Sequence, residues 1–278
     1  MDIKYLEEDA NAQRAQEIQL NAEIPERFDA REKWPQSESM KLIRDQATCA
    51  SSWAVSAASA MSDRLYVQSN GSLQTILSDS DILSCCGDYC GYGCEGGFGI
   101  RAWEYVVKNG VCSGGPYRKK GVCKPYVFYP CGKHEGQPYY GECPETYEET
   151  PTCRKKCQFL YKKGYEQDKV YATNAYYVEP TVEAIQKEIL VNGPVQAGFI
   201  VYDDFLNYKG GVYVHTAGQK KGALAAKIIG WGVEGTTPYW LMANSFNTDF
   251  GEKGYFRILR GKNECLVEEM VVAGVMKV

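Results

Sequence analysis

Apolar and polar positions change period along the chain. The run Trp53-Ala54-Val55-Ser56-Ala57-Ala58-Ser59-Ala60-Met61 is built of small residues and predicts a tightly packed helix reaching Tyr66. A short helix is expected to open near Ser78, and another runs from Gly97 to Lys108 and stops at Asn109-Gly110. A fourth, about 182–191, sets Val182, Ile185 and Ile189 on one face and ends at Asn192-Gly193-Pro194. Beyond it come short β-rich runs at 195–201, 211–214, 225–232, 239–243, 254–259 and 271–275. Glycine-punctuated strands at this spacing argue for an antiparallel sheet or barrel. The fold class is therefore α+β, with a helical first half and a β second half, and no internal repeat.

The stretches between these elements have different characters. Residues 24–44 read as extended chain wrapping the body, and 110–169, rich in Cys, Gly, Pro, Tyr and Lys, as aperiodic loop structure. Residues 1–23 are polar and acidic around Glu7-Glu8-Asp9, and Leu6, Ala10 and Ile18 are too sparse for a core helix. A flexible tail is the simpler expectation.

At 278 residues the chain can bury a large core. A net charge of -4 gives no reason to expect nucleic acid or an anionic membrane surface as partner, and no apolar run is long enough to span a bilayer. No secretory leader is visible at Met1-Asp2-Ile3-Lys4, so a processed form is expected. Twelve cysteines, mostly between Cys85 and Cys157, point to an oxidising compartment, secreted or lysosomal in type. Zinc is the rival reading: Cys86, Cys90 and Cys94 are closely spaced, and Cys153 with Cys157 would supply a second pair. The compartment argument favours disulfides, with no metal and no cofactor. Asn70-Gly71-Ser72 is a glycosylation sequon that suits the same compartment.

The candidate chemistry centres on Gln46-Ala47-Thr48-Cys49-Ala50-Ser51-Ser52-Trp53. A side chain just ahead of a helix sits at the positive end of its dipole, which turns a cysteine into thiolate. Papain-like cysteine peptidases carry Cys-Gly-Ser/Ala-Cys-Trp/Tyr here, the second cysteine being the nucleophile. In this chain that place holds Ser52. With Ile24-Pro25-Glu26-Arg27-Phe28-Asp29, Cys85-Cys86, Cys94-Glu95-Gly96-Gly97, Ile229-Gly230-Trp231-Gly232 and Trp240-Leu241-Met242-Ala243-Asn244-Ser245, residues 24–278 resemble the cathepsin B branch of the papain family.

The resemblance implies a helical left half, a β-barrel right half and a cleft between them. It places Leu224 at the family's catalytic histidine, Asn244 at the asparagine that orients it, and Gln46 in the oxyanion hole. Gly96 and Gly97 match the shelf that binds extended peptide backbone, and Met270 the base of the pocket for the second substrate side chain. The segment 123–143 matches the occluding loop, where Lys133 and His134 stand at two histidines that take a substrate carboxylate. Implied disulfides are Cys49–Cys94, Cys85–Cys153, Cys86–Cys90, Cys123–Cys157 and Cys131–Cys143. A further family disulfide falls on Ser37 and Tyr66, neither a cysteine, and Cys112 and Cys265 are left unassigned. By the same resemblance residues 1–23 have a second reading, as the end of a propeptide running through the cleft.

The catalytic consequence follows from proton chemistry. A serine hydroxyl needs an adjacent base, and Leu224 can neither take nor give a proton. Of two histidines, His134 belongs to the loop and His215 to a strand away from the family's position. Ala47 and Ala50 stand where the family has glycines, and Phe246 and Phe250 where it has tryptophans, so the departures cluster at the catalytic centre. The expectation is an inactive homologue that binds peptides, cystatin-type inhibitors or an active peptidase in a complex. The alternatives are a structural or adhesive extracellular protein with a vestigial cleft, and a weak serine-based hydrolase.

Overall fold

The computed structural model describes all residues, 1–278. Strand β1 (Phe28–Asp29) leads into two helical turns, α1 (Ala30–Lys33) and α2 (Glu38–Lys41), which interrupt the expected extended segment. Asp29 and Ser37 cause them, accepting from the N–H groups of Arg31 (2.9 Å) and Met40 (3.4 Å). Ser37, bonded also to Ser39, is thus satisfied without a disulfide. The long helix α3 (Ser52–Gln68), α4 (Asp79–Cys85) and α5 (Gly99–Asn109) complete the helical half.

After the loop region come β2 (Ala172–Tyr177), α6 (Val182–Asn192), β3 (Val195–Tyr202), α7 (Asp203–Leu206), β4 (Val212–Tyr213), β5 (Lys220–Glu234), β6 (Thr237–Ala243), β7 (Tyr255–Leu259) and β8 (Met270–Met276). The strands form one eight-stranded sheet in the order β2-β8-β3-β5-β6-β7-β4, with β1 on β5. All ladders are antiparallel except β4 with β7. Strand β2 is unannounced in the sequence because Ala-Thr-Asn-Ala-Tyr-Tyr does not alternate; its pairing with β8 makes it a strand.

Two cores flank the sheet. On β8, Val271 and Ala273 face a core shared with β3, β5 and β6, while Met270 and Val272 face one built around α3, α4 and α5. Both faces are buried, which explains a nearly continuous apolar strand in place of a polar alternation.

Buried polar bridges lock the halves together. Arg64 of α3 pairs with Glu188 of α6 at 2.6 Å and donates to the carbonyls of Gly193 and Gly274. Lys227 of β5 reaches Asp63 of α3 at 2.5 Å. Five disulfides join Cys49–Cys94, Cys85–Cys153, Cys86–Cys90, Cys123–Cys157 and Cys131–Cys143, so the cysteines of the zinc reading have their sulfurs in covalent pairs. Cys112 is free and buried; Cys265 is free and half-buried.

Candidate active site

Ser52 opens α3 and is wholly buried. The loop before it is held by the Cys49–Cys94 disulfide and by Tyr126, whose hydroxyl bonds Ser51 Oγ (2.8 Å) and donates to the Gln46 carbonyl (2.9 Å). Gln46 Nε2 donates to the Cys49 carbonyl at 2.8 Å, and its Oε1 accepts from Ser245 Oγ at 2.7 Å, which fixes the amide's orientation.

Across the cleft, β5 brings Ala225 N–H to Ser52 Oγ at 3.1 Å. Leu224, the residue before, pairs with Phe199 in the β3–β5 ladder and is buried in the β-side core. Asn244 Oδ1 accepts only the neighbouring Ser245 N–H, and Asn244 Nδ2 is buried without a partner. Leaving a buried donor unpaired costs about 1–3 kcal/mol. Ser52, Gln46, Asn244 and the strand bearing Leu224 thus lie together, without a proton acceptor of imidazole type among them.

Both histidines are committed elsewhere. His215 Nδ1 meets the Asp204 carboxylate at 3.2 Å, and its ring stacks on Tyr202. His134 Nε2 bonds the Cys131 carbonyl at 2.9 Å, and Nδ1 bonds Asp249. The ring thus ties its own loop to the body. Lys133 is the exposed cation there. Beneath the loop Asp45 accepts from Ala47 N–H and Asn247 Nδ2, both at 2.7 Å, yet burial raises its carboxyl above the ordinary range.

Residues 1–6, for which a flexible tail and a propeptide end running through the cleft are the two readings, lie in the cleft. Met1 and Ala223 exchange backbone hydrogen bonds at 3.0 and 2.8 Å, directly beside Leu224. A 3-10 turn, Ile3–Leu6, then lays the Tyr5 ring on Gly96 and edge-on to Phe98 (centroids 4.9 Å apart), leaving Tyr5 5 % exposed. A Cβ on Gly96 would come within 2.5 Å of that ring; one on Gly97 would meet the Trp53 ring at 2.7 Å. Gly96 here packs against the Tyr5 ring, and Gly97 against the indole of Trp53. Leu6 packs over Gly198, and Met1, Tyr5 and Leu6 fill the pocket floored by Trp53, Phe98 and Met270 down to about 20 Å³. The chain continues against β2, where Ala15 and Tyr177, and Tyr177 and Gln13, are joined at 2.8 Å. The only local signal was Tyr5-Leu6, an apolar pair in an acidic stretch.

Comparison with known proteins gives the family. The family model described as papain family cysteine protease matches residues 24–275. Cathepsin B-like cysteine proteinase 6 of Caenorhabditis elegans is 51% identical over 93% of this chain and 68% of its own length. Cathepsin B-like cysteine proteinase 1 of Haemonchus contortus is 49% identical over 99% of this chain and 80% of its own. The solved structure of proCathepsin B S9 from Trypanosoma congolense superposes with a TM-score of 0.82 at 37% identity, covering 97% of this chain and 84% of that one. The chain belongs to the papain family of cysteine proteases, among its cathepsin B-like members.

Proposed function

We propose that this chain is a cathepsin B-like homologue without peptidase activity, which acts by holding peptide or protein segments in its cleft. Ser52 stands for the nucleophile and Leu224 for the base. The observation that carries the reading is the Ala225 N–H bond to a fully buried Ser52 hydroxyl, with a leucine as the adjacent residue. A hydroxyl placed so has no group to take its proton. Gln46 retains an amide locked in orientation, and Met270 gives the pocket an apolar floor. Peptides and inhibitors of cystatin type are the ligands this cleft suits. The disulfide-rich fold fits a secreted or lysosomal compartment.

A second reading, a structural protein with a vestigial cleft, draws support from residues 1–6 filling the groove. Two assays on one peptide library separate the readings, one for cleavage and one for binding, with the Tyr5→Ala chain beside the natural sequence. Saturable binding without cleavage supports the proposal. Neither activity in either chain leaves the cleft vestigial. Cleavage that disappears in Ser52→Ala overturns both readings.

A further inference from the structure

The net charge of -4 conceals a strongly basic face. Arg118-Lys119-Lys120 and Arg154-Lys155-Lys156, with Lys162-Lys163, are all exposed, and neither 116–124 nor 151–163 contains an acidic residue. The Cys123–Cys157 disulfide joins the two runs, and Gln158 Nε2 donates to the carbonyls of Lys119 (2.9 Å) and Val122 (2.6 Å). Arg118, Lys124, Arg154 and Lys156 line one open concavity of about 600 Å³. Lys124 is neutralised by Asp81 at 2.7 Å, and Lys163 reaches Asp168 only at 4.0 Å. The other seven cations have no carboxylate partner.

Among these cations the chain turns on itself, Tyr161 N–H donating to the Gln158 carbonyl at 3.2 Å. The central residues are Phe159 and Leu160, 90% and 84% exposed, more so than any other large hydrophobic residue of the molecule. Leu160 has φ +67°, a backbone conformation that bulky side chains rarely adopt. An apolar tip held clear of the body, on a disulfide-tied base and ringed by unpaired cations, is the pattern of a peripheral membrane anchor.

We propose that this face docks on an anionic lipid bilayer. Phe159 and Leu160 enter the boundary between headgroups and acyl chains, and the surrounding lysines and arginines meet the lipid phosphates and carboxylates. A sulfated polysaccharide or an acidic peptide would use the cations but not the Phe159-Leu160 tip, which is why a bilayer fits better.

The test is co-sedimentation of the full chain with phosphatidylcholine vesicles, with and without about 30% phosphatidylserine, near 0.1 M salt. Binding to the anionic vesicles alone is expected. Phe159→Ser with Leu160→Ser should weaken it about 10-fold or more through lost apolar burial. Lys155→Glu with Lys156→Glu should weaken it by at least roughly 30-fold. Phe159→Trp, which leaves the charge untouched, should show a blue-shifted emission on adding anionic vesicles. No partitioning to anionic vesicles overturns the proposal. So does binding that the serine pair leaves unchanged, or retention on a sulfated polysaccharide without any emission shift, which would make the face a polyanion site.

Discussion

The hydroxyl of Ser52 accepts a hydrogen bond from the backbone N–H of Ala225 at 3.1 Å, so the first residue of α3 is tied to the strand that carries Leu224. On the proposed reading, peptidase chemistry would require two changes at once. Ser52→Cys supplies a thiol at the positive end of α3 but no imidazolium to hold it as thiolate. Leu224→His supplies a base next to a weak nucleophile. The double variant should cleave a fluorogenic dipeptide about 10²–10⁴-fold faster than either single one, the usual share of general acid–base catalysis. If Ser52→Cys alone matches the double variant, the proposed need for a base at Leu224 is wrong.

The fit of Tyr5 against Gly96 and Phe98 makes residues 1–6 a competitor for anything entering the cleft. Burial of an aromatic side chain contributes about 1.5–3 kcal/mol, and a ligand must displace it. Tyr5→Ala should therefore tighten peptide binding at least ~10-fold by calorimetry. An unchanged affinity would mean the segment does not compete.

Much of this arrangement was legible in the sequence where the pattern is local. The small-residue run set α3, the 3.6-residue spacing of Val182, Ile185 and Ile189 set α6, and glycine breaks set most strands. What escaped depends on partners distant in the chain. Strand β2 exists because β8 pairs with it, and Tyr5 and Leu6 are anchored by Gly96 and Gly198, which no local pattern links to residues 1–6. The two anchors of the His134 ring, the Cys131 carbonyl and Asp249, are visible only in the folded loop. The basic face escaped because net charge averages over the surface.

Arg64 and Glu188 are buried, their side chains 0% and 2% exposed, and they join α3 to α6. Arg64→Ala strands a buried carboxylate and should lower unfolding stability by about 3–5 kcal/mol in urea titrations. Replacing both with Met and Leu would often be harmless for an isolated ion pair. Here it should still cost about 1–3 kcal/mol, because the carbonyls of Gly193 and Gly274 lose their donor. A fully stable double variant would show that the guanidinium serves Glu188 alone.

Burial raises the Asp45 carboxyl against the opposing hydrogen bonds of Ala47 and Asn247. The folded state thus holds this proton at a pH where the unfolded chain, titrating near 3.9, has released it. The contribution is fully present below the unfolded value and is lost as pH rises through the folded one. Asp45→Asn removes the titration while keeping an acceptor for Ala47. The stability of the Asn variant relative to the natural chain should therefore increase from acidic toward neutral pH, measured by denaturant titration across that range. A difference that does not vary with pH would show that Asp45 titrates as it does in the unfolded chain.

The two free thiols give the sharpest check on the covalent frame. Burial raises the Cys112 thiol, and burial with the adjacent Glu264 pushes Cys265 up to about 12. At about pH 8 a thiol titrating near 12 is roughly 10⁻⁴ thiolate, the only form that attacks an alkylating agent. The native chain should therefore resist iodoacetamide, whereas denaturation without reductant should add two carbamidomethyl groups by intact mass, one for each free cysteine. Rapid native labelling at Cys265 would mean that its pocket opens readily. More than two adducts after denaturation would mean that one of the five disulfides is not formed.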